Sequence, residues 1–366
     1  MRVSGTLSVY IGRRFLLDFL LLMTLFIFLI FMFDTVELLR RAASKPNISF
    51  ATVVGMSLLK LPHLGQEIFP FAVLFGGMAS FWRLTRSNEL VITRAAGVSA
   101  WQFMFPVLVA AFILGVIQVG FINHFASATL TRYELLEARH LKGNGSLLAL
   151  SGSGLWLRQS NETGQSVVHA GQVTQQGQDV SLSDVVVFMY SGTDTFSGRV
   201  NAQKADLEDG FWRMTNAWVY QPDHSPVFQK EHWLETDLTL NKIQDSFAPP
   251  ETMSFWALPG FIKQLEKAGF SAIRHRLHWH TLLAAPFLMC AMVLIAATFT
   301  LRQSRRGATT FVIAGGVMSG FLLYFFSDVV FALGLSDSIP VALAAWTPSG
   351  VATLLGLAML LHLEDG

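Results

Sequence analysis

The sequence predicts an α-helical membrane protein with six transmembrane helices and an all-β domain inserted between helices three and four. Three observations predict it. Hydrophobic residues make up 52% of the 366-residue chain and charged residues only 14%, where a soluble domain carries about a quarter. The apolar residues are gathered into six long runs. Between the third and fourth runs, Asn123 to Ser271 is polar, with short apolar stretches alternating with turn residues.

A span needs about 20 mostly apolar residues. The first is Phe15–Phe33, FLLDFLLLMTLFIFLIFMF. It is too long for a leader peptide, and no small-residue cleavage site follows before Asp34. The second runs from Val53–Leu61 through Phe69–Trp82, and the third, Trp101–Ile122, holds no charge. Thr281–Leu301, Phe311–Phe331 and Val341–Leu361 complete the set. Arg2, Arg13 and Arg14, then Arg83, Arg86 and Arg94, then Arg302, Arg305 and Arg306 fall on one side, while Leu335–Pro340 carries no base. The positive-inside rule puts that side, with both termini, in the cytoplasm. Arg40, Arg41 and Lys45 break the pattern on the outer side.

In the insert, Phe211–Tyr220 places Trp212, Met214, Trp218 and Tyr220 on one parity, a strand with one buried face. Gly154–Gln159, Ser166–Val173, Ser181–Tyr190, Arg199–Leu207 and Val227–Leu238 read as further strands. A sandwich, a jelly roll and an open barrel all fit this spacing. After Pro249 and Pro250, Phe255–Ala268 reads as an amphipathic helix leading back to the membrane. The division is therefore 1–122 (three spans), 123–271 (β domain with a closing helix) and 272–366 (three spans).

No Gly-Lys dipeptide is present, hence no Walker A loop, and no Gly-x-Ser-x-Gly elbow. Cys290 is alone, so no disulfide forms within the chain. His275, His278 and His280 cluster at the mouth of span four. A metal would want them to converge with a carboxylate or thiolate. The reading preferred is an interfacial polar collar beside Arg274 and Arg276. No catalytic group, cofactor or metal is assigned.

Ionisable residues inside spans are costly and mark function. Asp328 lies in LYFFSDVVFALG, and Lys60, His63 and Glu67 lie in LLKLPHLGQEIFPFAVL, where Pro62 and Pro70 are expected to disturb the helix. They read either as a solvated helix end with internal ion pairs or as a polar lining for an amphiphilic substrate. Between spans two and three, TRSNELVITRAAGVSAW is short and charged. Asn88 or Ser87 caps a helix there, Glu89 occupies its first turn, and Gly97 ends it, giving a helix near 87–97.

These phrases, with VYIGRRFL at the start, ELLRRA after span one and RHRLHWHTLLAAPFLMCAMVLIAATFTLR in span four, resemble the lipopolysaccharide export permease family, the LptF/LptG (YjgP/YjgQ) type. LRQSRRG and LGLSDSIPVALAAWTP favour the LptG side of the family. The resemblance implies that the insert is a periplasmic β-jellyroll. It also implies that the chain is an inner-membrane permease subunit of an ABC exporter. Its partners would be an LptF-like permease, a cytoplasmic LptB-like ATPase dimer and an LptC-like bitopic protein, its cargo lipopolysaccharide. Hydrolysis of ATP would belong to the partner. The 87–97 segment would be the coupling helix, with Glu89 as docking charge, Leu90 and Val91 in apolar contact and Arg94 secondary. Arg40 and Arg41 match a basic pair the family uses for lipid A phosphates. Asp34 stands where family members carry a Lys in span one, and in span two Lys60 or His63 is a candidate to replace another family cation. Phe26, Phe28, Phe31, Phe325, Phe326 and Phe331 are candidates for the acyl-chain walls. The alternative from another class is a membrane-anchored periplasmic receptor or scaffold, for which six spans are more than anchoring requires. An intramembrane hydrolase would need facing catalytic groups that the sequence does not offer.

Overall fold

The structure is a computed structural model that describes residues 5–43, 48–95, 97–142, 148–151, 154–161, 164–176, 179–191, 195–208, 210–222, 224–236, 248–267, 270–300 and 309–364. Of the bases used above, Arg2, Lys45, Arg302, Arg305 and Arg306 lie outside the described residues. The helices are α1 (Gly5–Ala42), α2 (Phe50–Arg86), α3 (Glu89–Ala95), α4 (Ala100–Ile117), α5 (Asn123–Glu137), α6 (Leu258–Lys267), α7 (Ile273–Thr300), α8 (Thr309–Leu335) and α9 (Val341–Glu364). Six helical stretches are long and apolar enough to cross a membrane: α1, α2, the rod Ala100–Leu141, α7, Ala314–Leu335 and Val341–His362. An antiparallel sheet is inserted between the third and the fourth, so the expected fold class holds. By contacts the chain divides into Met1–Leu141 with Glu251–Leu258 and Ile273–Gly366, and Lys142–Pro250 with Pro259–Ala272.

In the helical unit, α2 and α7 are central, with 56% and 61% of their apolar windows buried, against 17% for α1 and 22% for α8. Phe15, Phe19, Phe69, Phe81, Met104 and Met289 fill the core between them. Small residues set the helix spacing. A Cβ on Gly76 would lie 2.9 Å from Phe19 Cα, and one on Gly115 would lie 2.5 Å from Pro286 Cα. Backbone cannot yield there as a side-chain tip would, so α1 packs on α2, and α4 on α7, through glycine. The proline expectation fails in α2, which runs unbroken through Pro62 and Pro70. Helices of membrane proteins tolerate proline where neighbouring groups satisfy the freed carbonyls.

The third span is longer than its apolar run. A π-helical turn at Gln118–Ile122 joins α4 to α5, and a second, Ala138–Lys142, ends the rod. Residues 123–142, grouped with the strands by their polarity, are helical. Their buried residues Ala126, Leu130, Tyr133 and Glu137 recur every three or four positions, the stripe of an amphipathic helix.

The strands are β1 (Leu148–Ser151), β2 (Gly154–Asn161), β3 (Gly164–Gln176), β4 (Asp179–Ser191), β5 (Thr195–Glu208), β6 (Phe211–Tyr220) and β7 (Val227–Glu235). They pair antiparallel in sequence order, an up-and-down sheet of seven strands among the described residues. That order does not by itself supply the Greek-key crossings of a jelly roll. All six expected strands are present, and β1 is additional. Lys204 and Arg213 pair with Asp206 at 2.7 and 3.8 Å. Burial works against its ionised form, but hydrogen bonds from Lys204 and Ser181 hold the Asp206 carboxyl below the usual range.

Strand parity changes along one line across this sheet. Buried positions step by three rather than two at Ala170 and Val173, Leu182 and Val185, Ala202 and Ala205, and Met214 and Ala217. At that level the ladder skips Gly171, Asp184, Gln203 and Asn216 and pairs the residues on either side of them. Asp184 and Asn216 both have φ 54°, a left-handed conformation that Asp and Asn tolerate better than other non-glycine residues. Asn216 also donates its amide to Gln203 Oε1 at 2.9 Å. The shift corrects the reading of β6: Trp212 and Met214 are buried, but Trp218 is 45% exposed and packs on Phe228.

Candidate functional site

Two polar assemblies lie on α1, one near each end. The first joins it to the α2–α3 turn. Ser87 is the C-cap of α2, and Asn88 follows with φ 59°. The Ser87 hydroxyl donates to Glu89 Oε1 at 2.8 Å. The other oxygen, Oε2, accepts from Tyr10 Oη at 3.0 Å, and Arg14 Nη1 donates to that same hydroxyl at 2.6 Å. One turn along α1, buried Asp18 pairs with Arg83 at 3.1 Å. The α3 carboxylate is thereby held by the start of α1 and presented in one orientation. Beyond α3, Gly97 has φ 82°, and Val98 N–H bonds Thr93 O at 3.2 Å, the six-to-one bond that closes a helix. Ser99 and Gln102 then form a capping box that starts α4.

Leu90 is 4% exposed and belongs to the helical core, so it anchors α3 to the bundle. Among the described residues of α3, the apolar side chain on the open side is Ile92, 67% exposed, which the sequence reading passed over. A helical wheel would have found it, since Leu90 and Ile92 point about 200° apart. The side chains of Val91 and Arg94 lie outside the described residues.

The second assembly joins the far end of α1 to α2 and α5. Lys60 Nζ donates to Asp34 Oδ1 at 2.8 Å, and Ser57 Oγ donates to Oδ2 at 2.9 Å. Lys60 also lies over the Tyr133 ring at 5.6 Å, and the Tyr133 hydroxyl donates to Glu137 at 3.2 Å. Arg41 faces Glu137 at 3.8 Å and Glu37 at 2.9 Å. Arg40 grips Glu37 through Nε at 2.9 Å and Nη2 at 3.0 Å. Signs alternate along this string: Asp34, Lys60, Glu137, Arg41, Glu37, Arg40. It holds as many acids as bases, and an anionic headgroup meets Arg40 and Arg41 only in competition with Glu37. Arg40 is the most open, its side chain 77% exposed.

Of the other cation candidates, Lys60 is engaged by Asp34, and His63 Nε2 lies 3.4 Å from Glu67. Phe26 packs edge-on to Phe75 and Phe326 is partly buried, whereas Phe28 and Phe325 are 58% and 60% exposed. The open apolar faces of α1 and α8 therefore carry Phe28 and Phe325, not Phe26 and Phe326. Among the histidines, His275 is buried, His278 faces a cavity, and His280 stands edge-on to Trp279.

Six apolar helices with an all-β insert, glycine-packed crossings and a short charged helix between the second and third spans define a multi-pass membrane protein. Residues 9–362 match the family described as lipopolysaccharide export system permease LptF/LptG, and the chain belongs to that family. It is 24% identical to the lipopolysaccharide export system permease protein LptG of Escherichia coli K12, over 99% of both chains. The similarity to the LptG protein of Escherichia coli O6:H1 is the same, 24% over 99%.

Proposed function

We propose that this chain is the LptG-type subunit of an ABC exporter that extracts lipopolysaccharide from the inner membrane and delivers it to a periplasmic bridge towards the outer membrane. The observation that carries the reading is the family match over residues 9–362. In this reading both termini are cytoplasmic and the sheet is periplasmic. An LptF-like permease completes the membrane part, a cytoplasmic LptB-like ATPase dimer supplies the energy, and an LptC-like bitopic protein receives the cargo.

The residues take the following roles. Glu89, on a helix fastened to α1 by Tyr10, is the charge that docks in the ATPase, with Ile92 beside it and Leu90 behind it. Closure of the ATPase moves α3, and the Tyr10–Glu89 and Asp18–Arg83 links carry that motion into α1. At the other end, Arg40 and Arg41 exchange Glu37 for lipid A phosphate, to which a guanidinium fork is matched. Phe28 and Phe325 line the path of the acyl chains. The test is ATP-driven release of lipopolysaccharide from vesicles by the reconstituted assembly. Release that depends on this chain is expected. Release at the same rate without it would overturn the proposal.

A further inference from the structure

A cavity of about 330 Å³ lies in the helical unit, among α2, the π-helical turn after α4, α7, α8 and α9. That is enough for a small ligand group rather than a single water. Its chemistry is one-sided. Glu67, Glu251 and Asp328 line it, with His63 and His278, and no Lys or Arg is among the described lining residues. Three carboxylates against two imidazoles leave a negative balance even with both rings protonated. Tyr324 lies within electrostatic reach of both Asp328 and Glu67.

The floor carries polar atoms without partners. Gln118 is 6% exposed, and its amide donates to Gln66 O at 3.1 Å. Its Oε1 has no hydrogen-bond partner among the described residues, nor do Gln66 Nε2 and His278 Nε2. A buried amide oxygen left unpaired is costly, so something is expected to satisfy it. Gln118 sits in a π-helical turn, a distortion that concentrates at functional sites. Glu67, its side chain 59% exposed, marks the mouth. The wall thus offers exposed carboxylates, Glu67 and Asp328, with half-buried Glu251, and a buried carbonyl acceptor on Gln118. An anion would be repelled. An ammonium brings three donors and no acceptor, which suits the carboxylates and Gln118 Oε1, while the Gln66 Nε2 donor is left to another group.

We propose that this cavity is a binding site for a protonated primary amine. It rests on the cavity's own chemistry and not on the transport reading. The amine comes from one of three sources: a phospholipid headgroup, a substituent on a phosphorylated lipid, or a small free amine.

The test uses the chain in the assembly with which it copurifies, held in phosphatidylglycerol nanodiscs. Free ethanolamine, phosphatidylethanolamine mixed into the disc, and lipopolysaccharide with ethanolamine-substituted phosphates are added separately. Tetramethylammonium serves as a cation without N–H donors. Binding is followed by titration calorimetry and by the thermal midpoint. At least one amine is expected to bind and to raise the midpoint, with tetramethylammonium inert, and the source that does so identifies the ligand. Glu67→Gln with Asp328→Asn should weaken that binding about tenfold, the equivalent of one charge-assisted hydrogen bond. Gln118→Leu should weaken it too; because it also removes the bond to Gln66 O, its amine-free midpoint serves as its own reference. Failure of all three amines to bind the parent chain overturns the proposal, as does unchanged binding in both variants.

Discussion

The two ends of α1 carry similar numbers of charges and use them differently. Near its start, Tyr10 and Asp18 reach across to Glu89 and Arg83, residues far away in the chain. At its other end, Arg40 and Arg41 turn back on Glu37, three and four residues before them, and Arg41 also faces Glu137 of α5 at 3.8 Å. The long-range links join separate elements, and in the proposed mechanism they transmit displacement. The local ones stay within one helix, and in the same proposal they release their cations to a competitor. Deeper in, Asp34 and Lys60 again form a cross-helix link. The exchangeable charges are thus those farthest out along α1.

Breaking the deep link has the largest expected effect. Lys60→Ala leaves Asp34, whose side chain is 8% exposed, without its cation. Loss of one partner from such a pair costs about 2–5 kcal/mol, so the thermal midpoint of the assembled protein should fall clearly. The double change Asp34→Ala with Lys60→Ala should recover most of the loss. If it does not, Lys60 matters for something other than Asp34. Next comes Tyr10→Phe, which removes one hydrogen bond to a carboxylate, worth about 1.5 kcal/mol. It should lower the midpoint less than Lys60→Ala does, and lower lipopolysaccharide release per ATP hydrolysed. An unaltered ratio would mean that the Tyr10 link does not transmit motion. The smallest effect is expected at the outer tip. Glu37→Gln should tighten lipopolysaccharide binding severalfold at low salt by removing the competitor for Arg40 and Arg41. Arg40→Glu with Arg41→Glu should weaken it, and added salt should shrink both differences. Unchanged affinity in both variants would make the basic pair a membrane anchor only.

The six spans and most of the sheet were legible because each writes its own period into the sequence: long apolar runs for helices, alternation for strands. Pairings between elements leave no such mark. Nothing near Asp34 announces that Lys60 neutralises it, since the match depends on how α1 and α2 align through Gly76 and Phe19. Residues 123–142 were misread because polarity outweighed the helical stripe of Ala126, Leu130, Tyr133 and Glu137. Trp218 was misread because alternation assumes an unbroken strand. The clue was Asn216, a residue suited to left-handed backbone, in the middle of β6. Between spans two and three, Glu89 was singled out by its place in the first turn of the helix and by the family resemblance, while its tie to Tyr10 needed the fold.

The central claim is that Glu89, fixed by Tyr10 and Ser87, passes force between the ATPase and α1. Its most direct test is to measure ATP hydrolysis and lipopolysaccharide release side by side in the reconstituted assembly carrying Glu89→Arg. The reversed charge loses both intrachain hydrogen bonds and the docking attraction. Release should therefore be abolished, with the ATPase either lost from the complex or hydrolysing without export, while the membrane subunits stay together. A charge-reversing Arg→Glu change in the ATPase groove should restore part of the release. Normal release by Glu89→Arg with the ATPase still bound would contradict the account.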